Sequence, residues 1–243
     1  MKMADYVIVT GASKGLGLAI CRHALKSGFG VVALARTLTK ELEDMTTAAP
    51  ELCHYLHADL SDLDNIPALC RQIVKTYGRP YALVNNAAAG HDGVLATMPN
   101  GDIDHLMRLN VQSPMLLSKY LLRSMLLNRT GRIINISSII AKTGFNGLSV
   151  YAATKAALEG FTKSLAREVG KGGITVNCVA PGYMQTDMTG DLQGETLAAI
   201  KRRSPLGKLA TVDDAAAMVI FLLSEQTSAI TGTVMTVDAG STA

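Results

Sequence analysis

The chain has 243 residues, 48% of them hydrophobic and 18% charged, which supplies material for a substantial core and excludes a disordered or fibrous chain. Its 23 basic and 20 acidic residues leave a formal charge of +3, so the totals show no broad basic face of the kind that drives nucleic-acid binding. No apolar run approaches the roughly 18 to 20 residues that cross a bilayer, and residues 1–5 lack the apolar stretch of a secretory signal, so a cytoplasmic protein without membrane or nucleic-acid partners is expected.

Short β-branched runs alternate with longer stretches of helical periodicity along the whole chain. Strands are expected at Tyr6–Thr10, Gly30–Ala35, Leu52–His57, Tyr81–Asn85, Gly131–Ser137, Ile174–Ala180 and Thr233–Asp238. Helices are expected near Gly15–Ser27, Thr39–Ala48, Leu63–Tyr77, Gly101–Leu127, Val150–Gly170 and Val212–Ser224. Such β-α-β alternation with right-handed crossovers predicts an α/β fold: a Rossmann-type, doubly wound, three-layer sandwich around a seven-stranded parallel sheet. Without repeats or a Pro/Gly-rich linker, residues 1–243 are expected to form a single domain. Residues 181–210 carry no strand and would leave the carboxyl edge of the sheet, where ligands bind in such folds, so they form the candidate lid.

Cys21, Cys53, Cys70 and Cys178 are scattered, with no C-x-x-C pair and no histidine at metal-ligand spacing, so neither a metal site nor a disulfide framework is expected.

The first expected strand runs into Thr10-Gly11-Ala12-Ser13-Lys14-Gly15-Leu16-Gly17, which feeds a helix. Glycines there permit a tight turn and let backbone amides approach a pyrophosphate at the positive helix end. Gly11, Ser13, Lys14, Gly15, Leu16 and Gly17 are therefore candidate cofactor contacts, although the spacing differs from G-x-G-x-x-G and a tight turn alone also requires glycine. The second strand ends Ala35-Arg36, with no carboxylate to accept bonds from a ribose 2′-hydroxyl. Lys14 and Arg36 instead provide two cations suited to a 2′-phosphate, which favours NADP(H); the alternative is two solvated surface charges.

Tyr151 and Lys155 stand four apart in Tyr151-Ala-Ala-Thr-Lys155, which puts them on one helix face about a turn apart. An adjacent ammonium favours phenolate and lowers a tyrosine pKa towards the working pH, making the phenol a group that exchanges protons with an alcohol or ketone. Ser138, at the end of the fifth expected strand, is placed to hydrogen-bond the same oxygen.

With these elements in order, together with Asp59, Asn85-Asn86-Ala87-Ala88, Asn110, Ile136-Ser137-Ser138 and residues 181–188 (PGYMQTDM), the chain resembles the short-chain dehydrogenase/reductase family over essentially its whole length. The resemblance implies a dinucleotide-binding reductase. In it Tyr151 is the general acid, Ser138 polarises the carbonyl, and Lys155 holds the nicotinamide ribose and lowers the tyrosine pKa. Asn110 would kink a helix and hold a water that relays protons from Lys155. Asp59 and Leu60 would contact adenine, Asn86 would lie along the ribose, and Met184 and Thr186 would bond the nicotinamide carboxamide. The family usually reads NNAG where this chain has Ala88, with Gly90 two residues later, so the shape of the pocket there departs from the pattern.

Residues 131–139 (GRIINISSI), 164–189 and 230–240 look like the 3-oxoacyl-[acyl-carrier-protein] reductases within that family. This implies NADPH-dependent reduction of a carrier-bound 3-oxoacyl thioester in fatty-acid or polyketide-like synthesis. The alternatives are a reductase of free ketones, quinones or sugars and, further away, a catalytically inactive scaffold. Because carrier proteins are acidic, Arg129 and Lys171 are candidate docking cations near one cleft mouth, with solvated turns the competing reading. Met184, Met188, Leu192, Leu197 and Ile200 suit either an acyl chain or an ordinary amphipathic helix. Met115, Leu116, Leu121, Leu122, Met125 and Leu126 exceed what one helix face needs; the resemblance implies a homotetramer interface, and deeper burial within the domain is the alternative.

Overall fold

The computed structural model describes residues 5–184 and 201–243. Alternation is visible in the strand interiors. In β1 (Tyr6–Thr10), Val7 and Val9 face one side of the sheet and Ile8 the other; in β2 (Gly30–Ala35), Val31 and Ala33 oppose Val32 and Leu34. Both faces are apolar because helices cover both. Helix α1 (Gly15–Lys26) lies on the first face, and α2 (Lys40–Ala48) leads into β3 (Cys53–His57). Helix α3 (Ile66–Tyr77) lies on the second face and returns the chain to β4 (Ala82–Asn85). The helices α4 (Asn100–Met107) and α5 (Ser113–Asn128) precede β5 (Gly131–Ile136). A short α6 (Ile140–Thr143) and the long α7 (Ser149–Val169) lead to β6 (Ile174–Pro181), and α8 (Val212–Leu223) to β7 (Val234–Val237).

The seven strands are parallel throughout, in the order β3-β2-β1-β4-β5-β6-β7. The expected α/β sandwich is therefore the observed one. Order reverses between β1 and β4, so a crevice opens outside their carboxyl ends. Helices α1 and α8 pack Ile20, Ala24, Val219 and Leu222 on one face, while α3, α5 and α7 pack Ile73, Leu121 and Leu165 on the other. The larger of these, such as Ile20, Leu222, Ile73 and Leu121, each contribute about 1.5–3 kcal/mol relative to exposure. All four cysteines are buried and free. No described helix is long and apolar enough to cross a membrane.

The single helix expected over Gly101–Leu127 is instead interrupted. Pro114 has no amide for the carbonyl of Asn110, four residues earlier, so a regular α pattern cannot run through; residues Arg108–Gln112 widen into a π turn between α4 and α5. Likewise Leu63–Asn65 form a 3-10 turn before α3, with Pro67 in the first helical turn. Of the expected apolar surplus on α5, Leu121 and Met125 belong to the core, Met115, Leu116 and Leu122 are half-buried, and Leu126 is 42% exposed.

Candidate active site

The glycine-rich turn is held by side chains from β1 and the end of β4. Thr10 Oγ1 accepts the backbone amides of Asn86 and Ala87, each at 2.9 Å, and the Asn86 amide donates to the carbonyls of Thr10 at 2.8 Å and Gly11 at 3.2 Å. Asn86 thus clamps the loop as well as lining the cleft. Gly11 has a positive φ of 65°, and a Cβ on Gly17 would lie 2.1 Å from the Gly11 carbonyl oxygen and 2.6 Å from Asn86 Nδ2. Only hydrogen fits there. Helix α1 starts at Gly15 with no side-chain cap and no acidic residue in its first turn, so its amide end suits an anion. Thr39, at the start of α2, donates to the Ser13 carbonyl at 2.6 Å and braces the loop from the other side.

At the adenosine end, Ala35 and Arg36 leave β2 beside Asp59 and Leu60, which follow β3. The Ser61 hydroxyl and amide donate to Asp59 Oδ1 at 2.7 and 2.9 Å, and these bonds, with the nearby Arg36 and His105, hold its carboxyl below the usual range. Asp59 is fixed as an acceptor. Lys14, Arg36 and His105 all line this end of the cleft.

At the other end, Ser138 follows β5 and Tyr151 projects from the first turn of α7. Burial pushes the Tyr151 phenol up to about 12; the hydrogen bond with Ser138 acts against this, and Tyr183 reinforces it. Lys155 is 3% exposed, its Nζ donates to the Ile136 carbonyl at 2.8 Å and lies 5.6 Å from the Tyr151 ring centre. Burial brings the ammonium down to about 8, with the Cys178 thiol pulling the other way. The expected lowering of the phenol pKa by Lys155 is not seen in the protein alone, where desolvation dominates and the opposing influence comes from Ser138. At neutral pH Tyr151 carries its proton and Lys155 is mostly charged, the pairing a proton donor needs.

Asn110 sits in the π turn, 1% exposed, where its amide both accepts from the Ala89 amide and donates to the Ala89 carbonyl, each at 2.9 Å, and donates to Thr154 Oγ1 at 3.2 Å. It ties the loop after β4 to α7. Ala88 lines the cleft in ordinary backbone, since among the described non-glycine residues only Arg129 and Ala239 have positive φ, so the departure from the family's glycine introduces no left-handed strain.

One cleft of about 680 Å³ joins these regions, lined by Gly11, Ser13, Lys14, Gly15, Leu16, Gly17, Arg36, Asp59, Leu60, Asn86, Ser138, Tyr151, Lys155 and Met184. Thr186, Met188, Leu192, Leu197 and Ile200, and with them most of the expected lid, lie outside the described residues. His105, Phe145, Leu148 and Tyr183 also line the cleft and were not singled out from sequence. Tyr183 stood within residues 181–188, but nothing in that run distinguishes a side chain facing the cleft from one packed behind it.

The position of Arg129 and Lys171 corrects the sequence expectation. Arg129 donates to the Lys171 carbonyl at 3.2 Å, so the two turns do meet. They precede β5 and β6, however, and so lie at the amino edge of the sheet, opposite the cleft of their own chain.

Residues 11–242 match the family described as enoyl-(acyl carrier protein) reductase. A 3-oxoacyl-[acyl-carrier-protein] reductase of Haemophilus influenzae is 40% identical over 233 residues, 96% of each chain. The chain belongs to the short-chain dehydrogenase/reductase family. The Escherichia coli 3-oxoacyl-[acyl-carrier-protein] reductase is 38% identical, over 96% of this chain and 95% of its own. Among solved structures, a gluconate 5-dehydrogenase of Burkholderia cenocepacia, in complex with NADP and tartrate, superposes with a TM-score of 0.93 at 26% identity, covering 98% of this chain and 95% of that one. A Beutenbergia cavernae structure described as an NAD(P)-dependent gluconate 5-dehydrogenase, with NADP bound, gives 0.92 at 31% identity over 97% and 96%.

Proposed function

We propose that this short-chain reductase converts a 3-oxoacyl thioester carried on acyl carrier protein into the 3-hydroxyacyl thioester, with NADPH as reductant. The observation that carries the reading is one cleft with a glycine-lined anion cradle and Arg36 at one end and the Ser138–Tyr151–Lys155 group at the other. NADPH, when bound, supplies the hydride. The chain's residues do the rest. Gly11, Ser13, Gly15, Leu16 and Gly17 present the loop and the amide end of α1 to the pyrophosphate; Lys14 and Arg36 receive the 2′-phosphate; Asp59 and Leu60 frame the adenine. Asn86 and Met184 complete the cofactor's bed. Ser138 holds the substrate carbonyl, Tyr151 delivers its phenolic proton to the carbonyl oxygen, and Lys155 keeps positive charge beside it, with Asn110 positioning the loop and helix around the proton path.

The substrate class rests on the similarity to 3-oxoacyl reductases over 96% of the chain. The gluconate 5-dehydrogenase structures favour a second reading, a reductase of free ketones or sugar acids. Against it, Ile140, Phe145 and Leu148 line the catalytic end, and such apolar walls offer a polyhydroxylated anion few partners. Coupled turnover decides between them: NADPH oxidation with a 3-oxobutanoyl thioester supports the thioester reading, and turnover of free carbonyls alone rejects it.

The same proposal places one dinucleotide-binding domain over residues 1–243 with a substrate lid at 181–210, assembled as a homotetramer. Helices α5 and α7 both run from the carboxyl edge of the sheet to its amino edge. Where two-fold pairing along them is antiparallel, Arg129 and Lys171 of one protomer come towards the carboxyl edge of its neighbour's sheet, the edge at which the cleft opens. In that arrangement the pair docks the acidic carrier for the neighbouring site.

A further inference from the structure

A 3-oxoacyl thioester differs from a simple ketone in having a second carbonyl two carbons from the one reduced. A site that selects it needs a further donor close to the reducing phenol. Tyr183 follows Pro181 and Gly182 at the carboxyl end of β6, the strand beside β5, and Ser138 lies just beyond the carboxyl end of β5. It lines the same cleft as Ser138 and Tyr151. Its ring stands edge-on to Phe145, with centres 6.0 Å apart. The Tyr183 and Tyr151 phenols are close enough to act on one another electrostatically. Burial, and then Asp92, which also lines the cleft, raise the Tyr183 pKa, so the phenol keeps its proton and serves as a donor.

Resting on the thioester reading, we infer that Tyr183 is a specificity residue whose hydroxyl donates to the thioester carbonyl while Ser138 and Tyr151 hold the 3-oxo group. Two phenols then read the spacing of the two oxygens. A ketone lacking the second oxygen leaves the Tyr183 hydroxyl unmatched, so discrimination arises at the substrate end without any contact to the acyl tail.

Tyr183→Phe keeps the ring and its packing on Phe145 and removes only the donor. The test compares wild type and this variant on a 3-oxobutanoyl thioester and on the matching ketothioether, in which a methylene replaces the thioester carbonyl, each as substrate or as competitive inhibitor. The expected result is a loss of kcat/KM or affinity about tenfold greater for the thioester than for the ketothioether. Equal losses on both compounds, or none on the thioester, overturn the role of Tyr183 while leaving the proposed activity standing. A wild type that prefers the ketothioether overturns the thioester reading itself, and this inference with it.

Discussion

Tyr151 and Lys155 both sit where burial opposes their charged forms, so the protein alone holds the phenol protonated, and the sequence motif names the pair without revealing this balance. Tyr151→Phe removes the proton donor and is expected to lower kcat about 10²- to 10⁴-fold while leaving NADPH affinity within about threefold, read by coupled assay and cofactor titration. Lys155 gives a pH signature in the cofactor-free protein. Its ammonium titrates near 8 when folded against 10.5 in the unfolded chain, so between these values the unfolded chain binds more protons and stability rises with pH. Buried thiols such as Cys70 and Cys178, pushed up by desolvation, act with the opposite sign, so wild type must be compared with Lys155→Met. The difference is expected to move in favour of wild type by about 2 kcal/mol from pH 8 to 9.5 in denaturant titrations. Arg36 was legible because no acid occupies the end of β2; His105 and Tyr183 were not, because cleft-facing orientation depends on packing between segments distant in sequence.

Regular elements were legible where chemistry repeats along the chain. The strand cores lie where β-branched runs placed them, and α1 begins at Gly15 as the glycine turn requires. Interruptions were less legible: the π turn at Arg108–Gln112 follows from Pro114 lacking one amide, and apolar periodicity does not register a single missing bond. The four-residue α6 is too short to show a period. Asn110→Ala, which removes three side-chain bonds to Ala89 and Thr154, is expected to destabilise the fold by about 1–3 kcal/mol and to reduce activity with it, measured by thermal unfolding and turnover. In the glycine loop, Gly17→Ala drives a methyl against the Gly11 carbonyl and the Asn86 amide. The loop must shift, and isothermal titration is expected to show NADPH affinity falling by about tenfold or more, with the sheet intact by circular dichroism.

For the whole molecule, topology decides what composition leaves open. Arg129 and Lys171 are readable as cations from the chain alone, yet only the direction of β5 and β6 reveals that they stand at the edge away from their own cleft. Their proposed use therefore depends on assembly. Arg129→Glu is expected to reduce turnover of the carrier-bound substrate about tenfold at low salt while sparing a short pantetheine-like thioester, and sedimentation of the wild type is expected to report a tetramer. Equal losses on both substrates would contradict docking. A cofactor that runs from the phosphate cradle to the Ser138–Tyr151–Lys155 group, where it meets the substrate, is tested together with that substrate by a single measurement: initial rates on carrier-bound 3-oxoacyl thioester and on free ketones, each with NADPH and with NADH. Fast turnover of the thioester with NADPH is expected, with at least about tenfold slower turnover with NADH and poor use of free ketones. Efficient reduction of free ketones with no turnover of the thioester, or a preference for NADH, would contradict it.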